Sequence, residues 1–565
     1  MIGVKVPIPG VIYPPVERLK RYVEGGELEL ETLVDALSAS FSANAGRTAL
    51  ATDEGDVSYA QLDDITDRFA GALLGLGLEP LDRVLFQCGN CKELVYAVVG
   101  CLKAGLIPVC TLAVHREHEI VYLGCHTEAR VHIVQGNDPK FDLIDFALKV
   151  RPRIPTVHHV ISIGGEGKAG VLRFDDLVSA QERGSARESL RSVPRDPFQV
   201  AVFQLSGGTS GVPKVIPRMH NDYLLNARLT IDVLGYAVDD VLFMPMPMIH
   251  NASMICFWLP CLLAGASFTI PRDLTPEAWG RIFREKKPTF IGLIRPLLPR
   301  LEEMLQKDYG SLERVRGSWS PDGARLVREK YGIPSLAMFG MTEGMNLYCR
   351  EGDPDEALDW TIGRPLSRFD EIRLVEPGGD REVALGEVGE LTCRGPYTLS
   401  GYYNAPERNQ QAFTEDGFYR SGDLLVERMI GGRRYYAFAG RTKDVIDRGN
   451  EKVNCEEVEN AASTHPAVSG CAVVGMPDAV LGERICAFLV IKEGECAPSV
   501  VELGRHFEVL GLAKFKWPER IEVIEALPVT KVNKLDKAVL RSAIRAKLAE
   551  EQIAQAAWAA GVNAA

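Results

Sequence analysis

The sequence lacks the long apolar run that a membrane-spanning helix needs, since no stretch approaches about 20 residues. It also lacks an excess of positive charge. Lysine and arginine number 64 against 76 aspartates and glutamates, a net charge of −12, which argues against nucleic acid or an anionic membrane as the main partner. The 13 cysteines lack the spacing of a disulfide framework and fit a reducing, cytoplasmic setting. One pair, Cys88 and Cys91 in "QCGNCKEL", has C-x-x-C spacing. No second pair or histidine partner stands nearby, so it reads as two small buried hydrophobes rather than a metal or redox site. The first residues, "MIGVKVPIPGVIYPPVERLK", lack the charged and then apolar regions of a signal peptide. No coiled-coil heptads occur, and the sequence leaves the oligomeric state open.

What is present points to a soluble protein of 565 residues, too long for one ordinary core, with 46% hydrophobic and 25% charged residues. "VSYAQLDDITDRFAGALLGLG" reads as a helix. Ser58 and Gln61 stand at capping-box spacing, and Leu62, Ile65, Phe69, Leu73 and Leu76 recur on one face. "RVLFQCG", "IPVCTL", "ARVHIVQG", "HVISIGG", "SFTIPRD", "PTFIGLI" and "SLAMFG" read as strands alternating with helices. That alternation predicts an α/β fold, parallel sheets covered by helices. From about Gly386, short strands with glycine turns predict a small β-barrel-like part. After Arg441 a compact strand–helix pattern predicts a small α+β domain. The expected division is 1–442 and 443–565.

The stretch "LSGGTSGVPKV", Leu205–Val215, follows an apolar run. Ser206, Gly207, Gly208, Thr209, Ser210, Gly211 and Lys214 together suit phosphate, because glycine admits close backbone approach and hydroxyls and N–H groups supply donors. No G-K-[ST] is present, which fits an ordinary P-loop NTPase poorly, and the loop lacks the G-x-G-x-x-G of a dinucleotide site.

Further motifs follow in order: "FGMTEGMN", "GELTCRGPYTLSGYY", "GFYRSGDL", "GRTKDVIDRGNEKV" and "PVTKVNKLDK". With the glycine-rich loop they resemble the adenylate-forming superfamily of acyl-CoA synthetases, adenylation domains and luciferases, over almost the whole chain. "FQLSGGTSGVPKVIPRMHNDY" and "MPMIHN" resemble its stand-alone aryl-acid AMP ligase branch. The resemblance implies a large N-terminal domain and a small mobile C-terminal one, ATP and Mg²⁺ as cofactors, and two half-reactions. A carboxylate forms an acyl-adenylate with loss of pyrophosphate; a thiol, from coenzyme A or a separate carrier protein's phosphopantetheine, then displaces AMP. It further implies Glu343 as the metal ligand and Thr342 beside it near the α-phosphate. Gly340 falls beside both the nucleotide and the acyl group, Asp423 on the ribose hydroxyls, Arg441 on ribose or phosphate, and Tyr419 near the nucleotide. Lys534 is implied as the catalytic lysine, although Asn533 stands where the family usually has glycine. Lys443 matches the hinge, and Arg448, Gly449, Asn450 and Lys452 match the face that arrives for the thiol step.

For the acyl pocket the resemblance implies His250, which also closes the site, with Asn251, Ala252, Cys256, Gly340 and Asn346. Cys256 falls where salicylate enzymes tend to have cysteine and dihydroxybenzoate enzymes serine, which favours salicylate. Ala252 replaces the usual stacking aromatic and Asn346 the usual aliphatic residue. These departures keep 2,3-dihydroxybenzoate, 3-hydroxypicolinate, anthranilate-type and bicyclic acids open. A catalytically silent adenylate-binding module is the alternative outside this class; Glu343, Asp423 and Lys534 are all present and speak against it.

Overall fold

The computed structural model describes residues 2–562 except 207–212, 322, 449–450, 479–480, 511, 513 and 531–534. The chain forms two compact units: Met1–Ile372 with Cys393–Arg420 and Met429–Tyr435, and Arg373–Thr392 with Ser421–Arg428 and Tyr436–Ala565.

In the first unit a seven-stranded sheet runs in the order Leu172–Arg173, His159–Ile163, Val131–Gln135, Arg83–Gln87, Ile107–Val109, Val200–Ser206, Lys214–Met219. Neighbours are parallel except the last two strands. The strand Val131–Gln135 is buried at every residue, as a parallel strand covered on both faces must be. A nine-stranded sheet has Ser335–Gly340, Gly317–Ser320, Phe290–Gly292, Val241–Phe243, Ser267–Thr269 and Thr48–Ala51 as a parallel centre. Its two ends turn antiparallel. A four-stranded sheet of Glu371–Val375, Val388–Arg394, Tyr419–Ile430 and Arg433–Arg441 has most of its residues in the second unit.

The helix Tyr59–Gly75 starts on the expected capping box: the Ser58 hydroxyl accepts from Gln61 N and the Gln61 side chain accepts from Ser58 N. Leu62, Phe69 and Leu73 are fully buried on its inner face. The second unit holds a five-stranded sheet centred on the antiparallel pair Val468–Asp478 and Gly482–Ile491. The helices Cys455–Ser463 and Val500–Val509 enclose a core of Val453, Val458, Val473, Ile485, Leu503 and Phe507. The α/β architecture read from the strand–helix alternation is the one observed. Among the described residues no helix is long and apolar enough to cross a membrane.

One feature of the fold is expensive. Lys103, 3% exposed, donates from Nζ to Asp63 Oδ1 and Asp67 Oδ1, each at 2.6 Å. Arg183 and Arg187 reach the same carboxylates from the helix Arg183–Leu190. Burial pushes the Asp67 carboxyl up, but Lys103 and then Arg187 hold it below the ordinary range. A cleft of about 530 Å³ lies over this network, and none of the candidate site residues lines it. Lys103→Met is expected to cost about 3 kcal/mol at pH 7, since breaking a buried pair strands the partner charge. Asp67, whose folded pKa is depressed, contributes stability above its unfolded value of about 3.9 and loses it as pH falls through the folded value. The gap between wild type and Lys103→Met therefore persists down to about pH 4 and narrows below it. Urea midpoints at pH 7 and at about pH 3 check this.

Candidate active site

The strands Val200–Ser206 and Lys214–Met219 pair antiparallel with Ser206 opposite Lys214. The glycine-rich stretch therefore joins strand to strand, not strand to helix, which accords with its missing G-K-[ST]. Gly207, Gly208, Thr209, Ser210 and Gly211 lie outside the described residues. The Ser206 hydroxyl at the loop's entry is buried and has no hydrogen-bond partner among the described residues. At the exit, Lys214 Nζ donates to Tyr402 Oη at 3.2 Å and lies 4.8 Å from the centre of that ring.

Tyr402 is a hub that the motif reading missed. Its hydroxyl donates to Glu343 Oε1 at 2.8 Å and lies 2.9 Å from the Tyr419 hydroxyl. Glu343 is 6% exposed, so a buried carboxylate and two buried phenols share one network with the half-buried Lys214 ammonium. Burial lowers the Lys214 pKa while Glu343 pulls it back up. Burial also raises the Tyr402 pKa, with Glu343 adding to it, so both phenols stay protonated as donors.

"FGMTEGMN" folds as a tight hairpin between Ser335–Gly340 and Asn346–Tyr348, with Gly340 opposite Asn346. The turn is closed by Gly344 N donating to Met341 O at 3.0 Å and Met341 N to Met345 O at 3.2 Å. Gly344 has φ +121°, and a Cβ there would collide with the Tyr397 carbonyl; only glycine suits the crossing. Arg218 locks the crossing from below. This fully buried guanidinium donates to Thr342 O at 3.1 Å and to Tyr397 O at 3.2 Å. Its Nε donates to Asp222 Oδ1 at 3.1 Å, and Asp222 in turn accepts from Met219 N at 2.8 Å. The sequence carried one signal for it: an arginine inside the apolar strand "KVIPRM", four residues before an aspartate. Thr342 and Glu343 thus owe their positions to Arg218 and Gly344.

The expected acyl-pocket residues come together in the same unit. His250 caps the short helix Asn251–Ser253, its Nδ1 accepting from Ala252 N at 3.2 Å. Asn251, buried, accepts at Oδ1 from the Tyr223 hydroxyl at 2.8 Å, and Gln204 donates to that same hydroxyl at 3.1 Å. The amide plane of Asn251 is therefore set by its oxygen. Cys256 sits in a buried π-helical turn, Met254–Trp258, a widened helix that recurs at functional sites. Burial pushes its thiol up to about 11, so it stands as a neutral, weakly polar wall. Asn346 donates to Asn226 Oδ1 at 3.1 Å, and a Cβ on Gly340 would collide with Asn346 Oδ1. Tyr223 ends the quoted stretch "FQLSGGTSGVPKVIPRMHNDY" but carried no role in it, and Asn226 lies beyond it on a helix between motifs.

In the second unit, Arg441 Nε donates to Asp423 Oδ1 at 2.9 Å, and Asp423 N donates to Ser421 Oγ at 3.0 Å. Lys443 lies in the short 3-10 turn Thr442–Asp444 and Lys452 in the strand Glu451–Asn454. Arg448 forks onto Glu519 at 3.1 and 2.8 Å. Gly449, Asn450 and Lys534 lie outside the described residues.

Among the described residues no group of three or more His, Cys, Asp or Glu could hold a metal ion. Cys88 and Cys91 are buried, and burial holds the Cys91 thiol up to about 12. Magnesium asks for less: hard oxygens, few of them from protein, the rest water and phosphate. A single buried carboxylate, Glu343, fits that requirement and does not fit a zinc or iron site.

Comparison with known proteins shows the family. Residues 37–403 match the model of the AMP-binding enzyme family, and residues 457–534 that of the AMP-binding enzyme C-terminal domain. The 2,3-dihydroxybenzoate-AMP ligase of Bacillus subtilis is 36% identical over 94% of this chain and 97% of its own. The 2-hydroxy-7-methoxy-5-methyl-1-naphthoate–CoA ligase of Streptomyces carzinostaticus is 36% identical over 95% and 98%. The apo structure of Mycobacterium smegmatis MbtA superposes with a TM-score of 0.71 at 34% identity, covering 94% of this chain and 98% of that one. The chain belongs to the AMP-binding, adenylate-forming enzyme family.

Proposed function

We propose that the protein activates a 2-hydroxyaryl carboxylic acid with ATP and passes the acyl group to a thiol. The observation that carries this is the network of half-buried Lys214 with buried Tyr402 and Glu343 beside the exit of the glycine-rich stretch, in the same unit as the Asn251 amide held by Tyr223. The first feature suits a polyphosphate, the second an ortho-substituted ring. Relatives that act on 2,3-dihydroxybenzoate and on a 2-hydroxynaphthoate support the substrate class.

In this reading a carboxylate oxygen attacks the α-phosphorus and the bond to the bridging oxygen breaks, releasing pyrophosphate with its electron pair. Lys214 and the hydroxyls of the hairpin neutralise and hold the phosphates. Mg²⁺ bound at Glu343 would supply Lewis-acid charge at the phosphate oxygens. Thr342 orients the reacting carboxylate or α-phosphate, and Asp423 takes the ribose diol, for which an acceptor-only group with two oxygens is suited. Lys534 supplies the point charge between carboxylate and α-phosphate. In the second step the thiol sulfur attacks the acyl carbon, the acyl–phosphate C–O bond breaks and AMP leaves. The C-terminal domain, turning about Lys443, brings Arg448, Gly449, Asn450 and Lys452 for this step. Cys256, a poor partner for a 3-hydroxyl, favours salicylate over 2,3-dihydroxybenzoate.

The test is pyrophosphate release from purified protein with ATP and Mg²⁺ over salicylate, 2,3-dihydroxybenzoate, benzoate, anthranilate and 3-hydroxypicolinate, each with and without coenzyme A. Sustained turnover on a 2-hydroxy acid with coenzyme A is expected if that thiol is the acceptor; one stoichiometric burst that coenzyme A does not extend assigns a carrier protein. Release on benzoate equal to that on every 2-hydroxy acid would sink the substrate class.

A further inference from the structure

The amides of Asn226 and Asn346 are both buried, 1% and 3% exposed. Asn346 Nδ2 donates to Asn226 Oδ1, but the Nδ2 of Asn226 has no hydrogen-bond partner among the described residues. A buried amide left with an unused donor is costly, and native proteins seldom keep one without a use. Its position suggests the use. Asn226 lies one turn beyond Tyr223 on the helix His220–Leu234, and residues three apart share a helix face. Tyr223 holds Asn251 from that helix, and Asn226 holds Asn346. One helix face therefore contacts both acyl-pocket amides. Tyr348, two residues past Asn346 and on the same face of its strand, sets its buried hydroxyl beside the Cys256 thiol. Asn226, Asn346, Tyr348 and Cys256 thus place polar groups together where an aliphatic cluster would serve a plain benzoate ring.

We propose that Asn226 and Asn346 form a subsite that selects aryl acids carrying a hydrogen-bond acceptor, a ring nitrogen or a phenolic or ether oxygen, in addition to the carboxylate and its ortho hydroxyl. The inference rests on the aryl-acid reading given above and specifies its substrate class. Asn346 fixes the carbonyl of Asn226, and the remaining Asn226 N–H groups meet the acceptor on the ring. A site built to hydrogen-bond a substituent discriminates strongly against the analogue lacking it, because its own polar group is otherwise left unpaired.

The experiment measures ATP–pyrophosphate exchange by wild type, Asn226→Leu and Asn226→Ser with salicylate, 3-hydroxypicolinate and the four ring-methoxylated salicylates. Wild type is expected to show kcat/KM at least about 10-fold higher for one or more acceptor-bearing acids than for salicylate. Asn226→Leu is expected to erase that ratio, with Asn226→Ser between them. The ratio of two acids in one preparation does not depend on the folded fraction. Equal wild-type activity on salicylate and every acceptor-bearing acid overturns the subsite. So does an Asn226→Leu loss of the same size on all acids, which would make the amide pair structural. Exchange with none of the acids, salicylate included, overturns the aryl-acid reading itself and the subsite with it.

Discussion

Arg218→Met is expected to lower stability by about 3–5 kcal/mol, the range for removing one partner of a buried ion pair, and to lower kcat/KM for adenylation by about 100-fold. The stability loss follows from what the guanidinium holds. Without it the Thr342 and Tyr397 carbonyls and the Asp222 carboxylate lose their shared donor inside the protein. Methionine fills much of the volume but donates nothing, so the loss is polar rather than a cavity effect. The kinetic loss follows from geometry. Thr342 and Glu343 sit on a five-residue turn whose position is set by Arg218 on one side and by Gly344 against Tyr397 on the other. A displacement of order 1 Å at such groups costs about 100-fold in rate. Arg218→Lys separates charge from shape. Lysine keeps the cation near Asp222 but cannot fork to two carbonyls and a carboxylate at once, so it is expected to recover part of the stability and little of the activity. Denaturant unfolding and pyrophosphate exchange on the same preparations give both readouts. A folded Arg218→Met enzyme with undiminished kcat/KM would remove Arg218 from the positioning role.

How much of this was legible in the sequence depends on the kind of signal. The parallel sheets were legible because buried strands are short, near-continuous apolar runs such as "VHIVQ". The helix Tyr59–Gly75 was legible at its first residue because Ser58 and Gln61 carry a local, side-chain-encoded cap. Glu343 and Lys214 could be named from motifs. Their shared partner could not, since Tyr402 stands 59 residues from one and 188 from the other, and such pairings follow from topology. Arg218 was half-legible: an arginine in an apolar strand is a misfit that asks for partners, but only the fold supplies the two carbonyls. Asn226 carried no sequence signal at all, because an asparagine on a polar-looking helix is usually solvated. Its burial, and a nitrogen without a partner among the described residues, emerge only once that helix is packed.

Glu343→Gln is expected to leave stability within about 1 kcal/mol of wild type and to lower the adenylation rate by about 100- to 1,000-fold, the effect of removing one electrostatic stabiliser from a closed site. Stability survives because the substitution keeps shape and keeps an acceptor: the glutamine carbonyl still receives the Tyr402 hydroxyl that now donates to Glu343 Oε1. What goes is the negative charge. A neutral amide is a weak ligand for a hard divalent cation, so the Mg²⁺ concentration giving half-maximal rate is expected to rise. Lys214, whose ammonium is favoured by Glu343 against the penalty of burial, loses that support, and its pKa falls further. The second half-reaction provides the control. Once the acyl-adenylate exists, no pyrophosphate remains to be displaced, so thioester formation from a synthetic adenylate and a thiol is expected to run at near wild-type rate in Glu343→Gln. An equal loss in both half-reactions would assign Glu343 to holding the hairpin in place, the role here given to Arg218 and Gly344, rather than to the phosphates.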